Sequence, residues 1–181
     1  YLAYFAPNVI KVGISQEDRG IRRLLEQGAR LAIKLETFSS ALIARQYEAK
    51  ISKLDGIVET LPVHKKMELI KQPFDRAIGE RELQQKLLEI EQKIGVSFPK
   101  SELIPCEDYF QTAGVDLSRV VLIKDYSQLV GHVRSVIGSI IITDYGGQLL
   151  AYNIKKLIGY RAQKIDGEIE LDLPTEQLTL F

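Results

Sequence analysis

At 181 residues, with 45% hydrophobic and 27% charged side chains, the chain carries enough apolar material for one large or two small folded domains. Lys plus Arg and Asp plus Glu balance at 24 each, so no global charge draws it toward nucleic acid or an anionic surface. No apolar run approaches the roughly 18 residues of a transmembrane helix, and the single cysteine, Cys106, excludes an internal disulfide and an all-cysteine metal site, which makes a reducing, cytoplasmic setting the expectation.

Residues 1–5 read as a strand and residues 9–14, rich in β-branched side chains, as a second, with Pro7-Asn8 as the turn. Ser15 ahead of Glu17-Asp18 predicts a helix that carries Arg19, Arg22 and Arg23 and stops at Gly28. Residues 31–38 form a third strand, and Ser39-Ser40 cap a helix reaching about Leu54. On it, Ala41, Ala44, Ile51 and Leu54 make an apolar stripe, and Glu48 falls within roughly 60° of the stripe's centre. Residues 57–95 read as helical, starting at Pro62, interrupted at Pro73 and ending at Gly95.

Residues 96–118 read as a connector, with Pro99, Pro105 and Gly114. The signal then turns to β. Strands are expected over 120–123, over 133–143 with a bend at Gly138, over 148–154 after an Asp144-Tyr145-Gly146-Gly147 turn, and over 160–165. The expected fold is α+β. A small antiparallel three-stranded sheet with helices and a helical extension spans 1–95, a small antiparallel β meander or partial barrel spans 119–165, and an acidic tail spans 166–181.

Charge is unevenly spread. Residues 1–53 hold nine Lys/Arg against five Asp/Glu, and residues 166–181 hold five acids and no base. A carboxylate at the buried edge of a helix, such as Glu48, needs a cation or donors to offset lost hydration. Lys50, Arg45 or an arginine of the first helix could each supply it. Arg23 could equally pair with Glu26 or Glu17, and Tyr1 could be a half-buried strand aromatic. His64 and His132 are too scattered to form a metal or catalytic cluster with Cys106.

The order of these residues resembles the GIY-YIG nuclease superfamily. Tyr1-Leu2-Ala3 stands at its first motif, Lys11-Val12-Gly13 at its second, Arg23 (or Arg19 or Arg22) at its helix arginine, and Glu48 at its glutamate. Lys11-Val12-Gly13-Ile14-Ser15 and Glu26-Gln27-Gly28-Ala29 also look like an uncharacterised family of bacterial and archaeal proteins with a C-terminal β region. The superfamily resemblance implies metal-dependent hydrolysis of phosphodiesters, DNA favoured. Glu48 would hold Mg²⁺ or Mn²⁺, and Arg23, with Arg19 and Arg22 nearby, would bind phosphate oxygens. Tyr1 would orient or deprotonate water, and Gly13 would let backbone approach the substrate. Lys11 departs from the pattern, which has tyrosine there. An ammonium can hold phosphate but is a base only if its pKa falls far, so a non-catalytic nucleic-acid-binding module, or an adaptor with a degenerate site, is the alternative.

The last five residues, Gln177-Leu178-Thr179-Leu180-Phe181, resemble the pentapeptide by which bacterial repair and replication proteins dock on the sliding clamp. That resemblance implies hydrogen bonds from Gln177, a first apolar contact from Leu178, and a pocket for Leu180 and Phe181. The same side chains could instead pack on the chain's own β region.

Overall fold

The computed structural model describes residues 1–165 and Gly167. β1 (Leu2–Ala6) and β2 (Val9–Val12) form the opening hairpin, Leu2 opposite Val12 and Tyr4 opposite Ile10. Asn8 closes the turn at φ 61, a left-handed conformation its short polar side chain tolerates. β3 (Leu31–Lys34) pairs antiparallel along the other side of β1. This is the expected three-stranded antiparallel sheet, but it is only the centre of a larger one. β4 (Ile57–Val58) adds parallel to β2, and β5 (Glu102–Ile104) adds antiparallel to β3, giving the order β4-β2-β1-β3-β5. Residues 96–118, expected as a connector, thus contribute a strand to the first sheet. They also contain two 3-10 turns, Cys106–Tyr109 and Leu117–Arg119, the second of them ending just past the stretch.

The second sheet consists of β6 (Val121–Ile123), β7 (His132–Ile137), β8 (Ile140–Tyr145) and β9 (Gln148–Asn153), in the order β6-β9-β8-β7. It is open and mixed, because β6 runs parallel to β9, and it does not close into a barrel. The bent strand expected over 133–143 is two strands: the chain reverses at Gly138-Ser139, and Ile137 pairs with Ile140. Residues 160–165 do not form the expected strand. Tyr160 and Ile165 are exposed there, with no strand beside them to cover.

Four α-helices complete the described fold, which is α+β. The first segment expected as one helix is two pieces, a 3-10 turn (Glu17–Arg19) and α1 (Arg22–Gln27). Gly20, at φ 48, breaks it, and the Ser15 hydroxyl bonds the Gln16 carbonyl instead of capping. α2 (Ala41–Ile51) is capped by Ser40, whose Oγ accepts from Ile43 N at 3.3 Å. α3 (Val63–Leu69) follows Pro62, and α4 (Arg76–Ile94) runs from an Asp75 cap to Gly95. None of these helices is long and apolar enough to cross a membrane.

Strand alternation divides the first sheet between two cores. Leu2, Tyr4, Ile10, Val12, Leu31 and Ile33 pack with Ile51 of α2 and Leu83 and Ile90 of α4. On the opposite face Ala3 and Phe5 meet Leu69 of α3, and Ala32 joins a core with Leu24, Ile137, Ile140, Ile142 and Ala151. The second sheet therefore seats on the first. Its β7–β8 turn rests on the end of α1, where a Cβ on Gly138 would stand 2.8 Å from Gly28 N.

Candidate functional site

The site grows from the face of the first sheet that α1 and α3 cover. Ala3 pairs with both Lys11 and Ala32, so these three share that face. Tyr1 and Gly13, two residues along, lie on it as well. They extend the ladder: Gly13 N donates to Tyr1 O at 3.1 Å, and the Tyr1 nitrogen donates to Gly13 O at 2.9 Å. The Tyr1 ring lies across Gly13. A Cβ there would stand 2.5 Å from the Tyr1 hydroxyl oxygen, so glycine makes room for the phenol.

Arg23 lies on α1, and its positive charge acts on this phenol. Of the partners open to Arg23 in the sequence, Glu26 is taken by Arg19 at 2.5 Å and Glu17 lies 3.8 Å from the Lys34 ammonium. Arg22 is exposed. Burial raises the Tyr1 pKa above the ordinary phenol value, with Arg23 opposing the shift, so Tyr1 is a neutral hydroxyl at physiological pH. Lys11 is only 9% exposed, and its ammonium donates to Val12 O at 2.9 Å. Burial lowers its pKa; Glu48 draws it back up and Arg23 pushes it further down.

Glu48 is half-buried on α2, one turn ahead of Ile51, which anchors the helix in the core. Lys50 does not pair with it: the Lys50 ammonium lies 5.6 Å over the Tyr47 ring, which itself stacks on Phe38. Among the described residues the Glu48 carboxylate has no hydrogen bond or salt bridge. Its charge nonetheless acts on both the Lys11 ammonium and the Tyr1 phenol, the same two groups that feel Arg23. The charges of Arg23 and Glu48, from two helices, thus both act on Tyr1 just ahead of β1 and on Lys11 of β2. Glu59, just past β4, also acts on Lys11.

Two further cations join them. Lys66 of α3 donates to Gln27 O at 2.6 Å and to Gln27 Oε1 at 3.2 Å, and lies 5.0 Å over the Phe5 ring. Burial, then the positive charges of Lys155, Lys11 and Arg23, brings its ammonium down to about 8. Lys155 comes from the second sheet, in the 3-10 turn Ile154–Leu157 after β9. Ile154 N donates to Ser139 O at 2.9 Å, and Ser139 lines one narrow cleft with Lys66, Gln27 and Phe5. Both sheets therefore contribute to one basic row. Lys66 had a signal in the sequence. It shares the helical face of Val63, Met67 and Ile70, where a lysine is out of place. Lys155 has none, because only tertiary packing brings it there.

No group of three His, Cys, Asp or Glu side chains gathers to hold a metal among the described residues. Glu48 and Glu59 are the carboxylates whose charge reaches Lys11, and neither has a salt bridge among the described residues. A hard ion such as Mg²⁺ or Mn²⁺, if bound here, would take Glu48 as its protein ligand and complete its shell with waters and phosphate. Gln177, Leu178, Leu180 and Phe181 lie outside the described residues.

The arrangement defines an α+β protein with a basic, carboxylate-bearing face built jointly by its two sheets. The chain belongs to the family described as "Protein of unknown function (DUF2797)", whose model matches residues 1–162 and so runs through both sheets. No curated protein and no solved structure matches the chain.

Proposed function

We propose that this chain is a metal-dependent phosphodiester hydrolase acting on DNA in repair or replication, recruited to a sliding clamp through its C-terminal peptide. The observation that carries the reading is that Glu48, with no hydrogen bond or salt bridge among the described residues, acts electrostatically on the same phenol and ammonium as Arg23. A divalent ion on Glu48 would polarise the phosphate and neutralise charge at the leaving oxygen. The chain's own groups bind and orient. Arg23 holds non-bridging oxygens with its guanidinium fork. Tyr1 uses its O–H to orient the attacking water. A raised pKa makes it an orienting group rather than a base. Lys11 supplies fixed positive charge, and Lys66 and Lys155 extend the track along which a strand's phosphates would run.

The test is cleavage of branched, nicked and single-stranded DNA by the full chain with Mg²⁺ or Mn²⁺. Glu48→Gln is expected to lose at least about a hundredfold in rate while folding normally. No cleavage by the wild type under any metal would sink the hydrolase. One observation favours a second reading, a binding module without hydrolysis: Lys11 stands where the resembled pattern has tyrosine, and spends a donor on Val12 O. In that case DNA binding persists, weakens steeply with salt, and is indifferent to metal. Recruitment is tested separately: Phe181→Ala should abolish retention on an immobilised bacterial clamp and leave cleavage unchanged.

A further inference from the structure

A second concave site lies at the β8–β9 turn of the other sheet. It is an open groove of about 650 Å³, within the range of small-molecule pockets and far larger than a single ion needs. Arg119 and Arg134 line it, along with Asp116, Asp144, Gly146 and Gly147. Both arginines are exposed, and neither forms a salt bridge among the described residues. Each aspartate is half committed. Asp116 Oδ1 accepts from Ser118 N at 3.1 Å and from Ser118 Oγ at 2.6 Å, and Asp144 Oδ1 accepts from Gly147 N at 3.0 Å. The second oxygen of each has no partner among the described residues. Gly146 and Gly147 hold φ of 58 and 85, with open space where a Cβ would be, so a ligand can come against the backbone.

Two guanidiniums call for an oxyanion, and their forked donors suit phosphate. Two carboxylate oxygens call for hydroxyl or amino donors on the same ligand. A bare anion would meet the aspartates unfavourably, and a neutral sugar or base would leave the arginines idle. We infer that this groove is a nucleotide site: its guanidiniums take a phosphate, while Asp116 and Asp144 take hydroxyl or amino donors of the attached nucleoside. The nucleotide is either free or one unit of a strand. The site uses none of Tyr1, Lys11, Arg23 and Glu48 and stands apart from the hydrolase reading.

The experiment follows backbone amide resonances of the isotope-labelled full chain during titration with adenosine monophosphate, adenosine, inorganic phosphate or a short single-stranded oligonucleotide. Gly114, Gly146 and Gly147 should shift saturably with the monophosphate, and less with adenosine or phosphate alone. Arg119→Ala and Arg134→Ala should each weaken binding roughly tenfold, the size of a lost charge-assisted hydrogen bond, and Glu48→Gln should not. Arg134→Lys should fall between wild type and Arg134→Ala. An oligonucleotide that binds much more tightly than the monophosphate assigns the groove to a strand; equal or weaker binding assigns it to the free nucleotide. Three results would overturn the site: these glycine amides unmoved by both nucleotide forms, a phosphate curve equal to that of the monophosphate, or shifts indifferent to Arg134→Ala.

Discussion

The two faces of the first sheet are made by alternate residues of the same short hairpin, yet they do opposite work. Leu2, Tyr4, Ile10 and Val12 point into a closed apolar core under α2 and α4. Tyr1, Ala3, Lys11 and Gly13 share the other face, where small side chains leave room for a phenol, an ammonium and the guanidinium of Arg23. A period of two lets one hairpin anchor the fold with every second residue and offer chemistry with the rest. Charge on the second face is tolerated because each group has something to work against: Lys11 has Val12 O, and Lys66 has Gln27.

The contrast can be tested by breaking each face in turn. Leu83→Ala, on the closed side where Leu83 is fully buried, should cost about 2–5 kcal/mol in a denaturant titration. Gly13→Ala should cost less, about 1–3 kcal/mol, by driving a methyl into the Tyr1 phenol. Unlike Leu83→Ala, it should also weaken DNA binding at temperatures where the variant is fully folded. Lys11→Met should leave stability within about 1 kcal/mol of wild type or raise it, since a buried charge is removed, yet reduce DNA affinity and its salt dependence. A large loss of stability there would mean that Lys11 is part of the core.

The smallest effect concerns pH. The Lys66 ammonium sits near 8 in the folded state, below its ordinary value. Between about 8 and about 10.5 the unfolded chain therefore binds the extra proton, and stability rises with pH across that window. Thermal unfolding of wild type and Lys66→Met, measured from pH 7 to 10, should show the wild type gaining on the variant. Phosphate bound beside Lys66 should raise its pKa, so DNA binding near pH 8 should take up protons, readable by calorimetry in buffers of different ionisation enthalpy.

Much of this was legible in the sequence where a local rule sufficed. The hairpin and the Ser40 and Gly95 caps follow from turn and capping chemistry, whereas the burial of Lys11 does not: alternation sets it on the face opposite Ile10 and Val12 but cannot say that helices cover that face too. Glu48 at the edge of its stripe is where helical periodicity puts it. The failures have physical causes. Residues 133–143 are β-branched on both sides of Gly138, so one residue of turn signal was outweighed by strand signal and a hairpin read as a bend. β5 is three residues in a proline-containing stretch, and it exists because β3 offers an edge. Lys155 joins the basic row only because the second sheet packs over α1 and α3. The nucleotide groove draws on the turn after Gly114, on β7 and on the β8–β9 turn, a combination no window of sequence brings together.

The contact of Gly138 with the end of α1 has a consequence for biosynthesis. A ribosome releases the hairpin, Arg23 and Glu48 early, but the seat beneath that short helix is supplied by a turn made much later in the chain. Until that turn emerges, the six residues of α1 pack on earlier parts of the chain such as Ala32, Met67 and Phe110, without the contact at their C-terminal end. Maturation of the basic face is thereby tied to completion of the last strands, which also bring Lys155 to it.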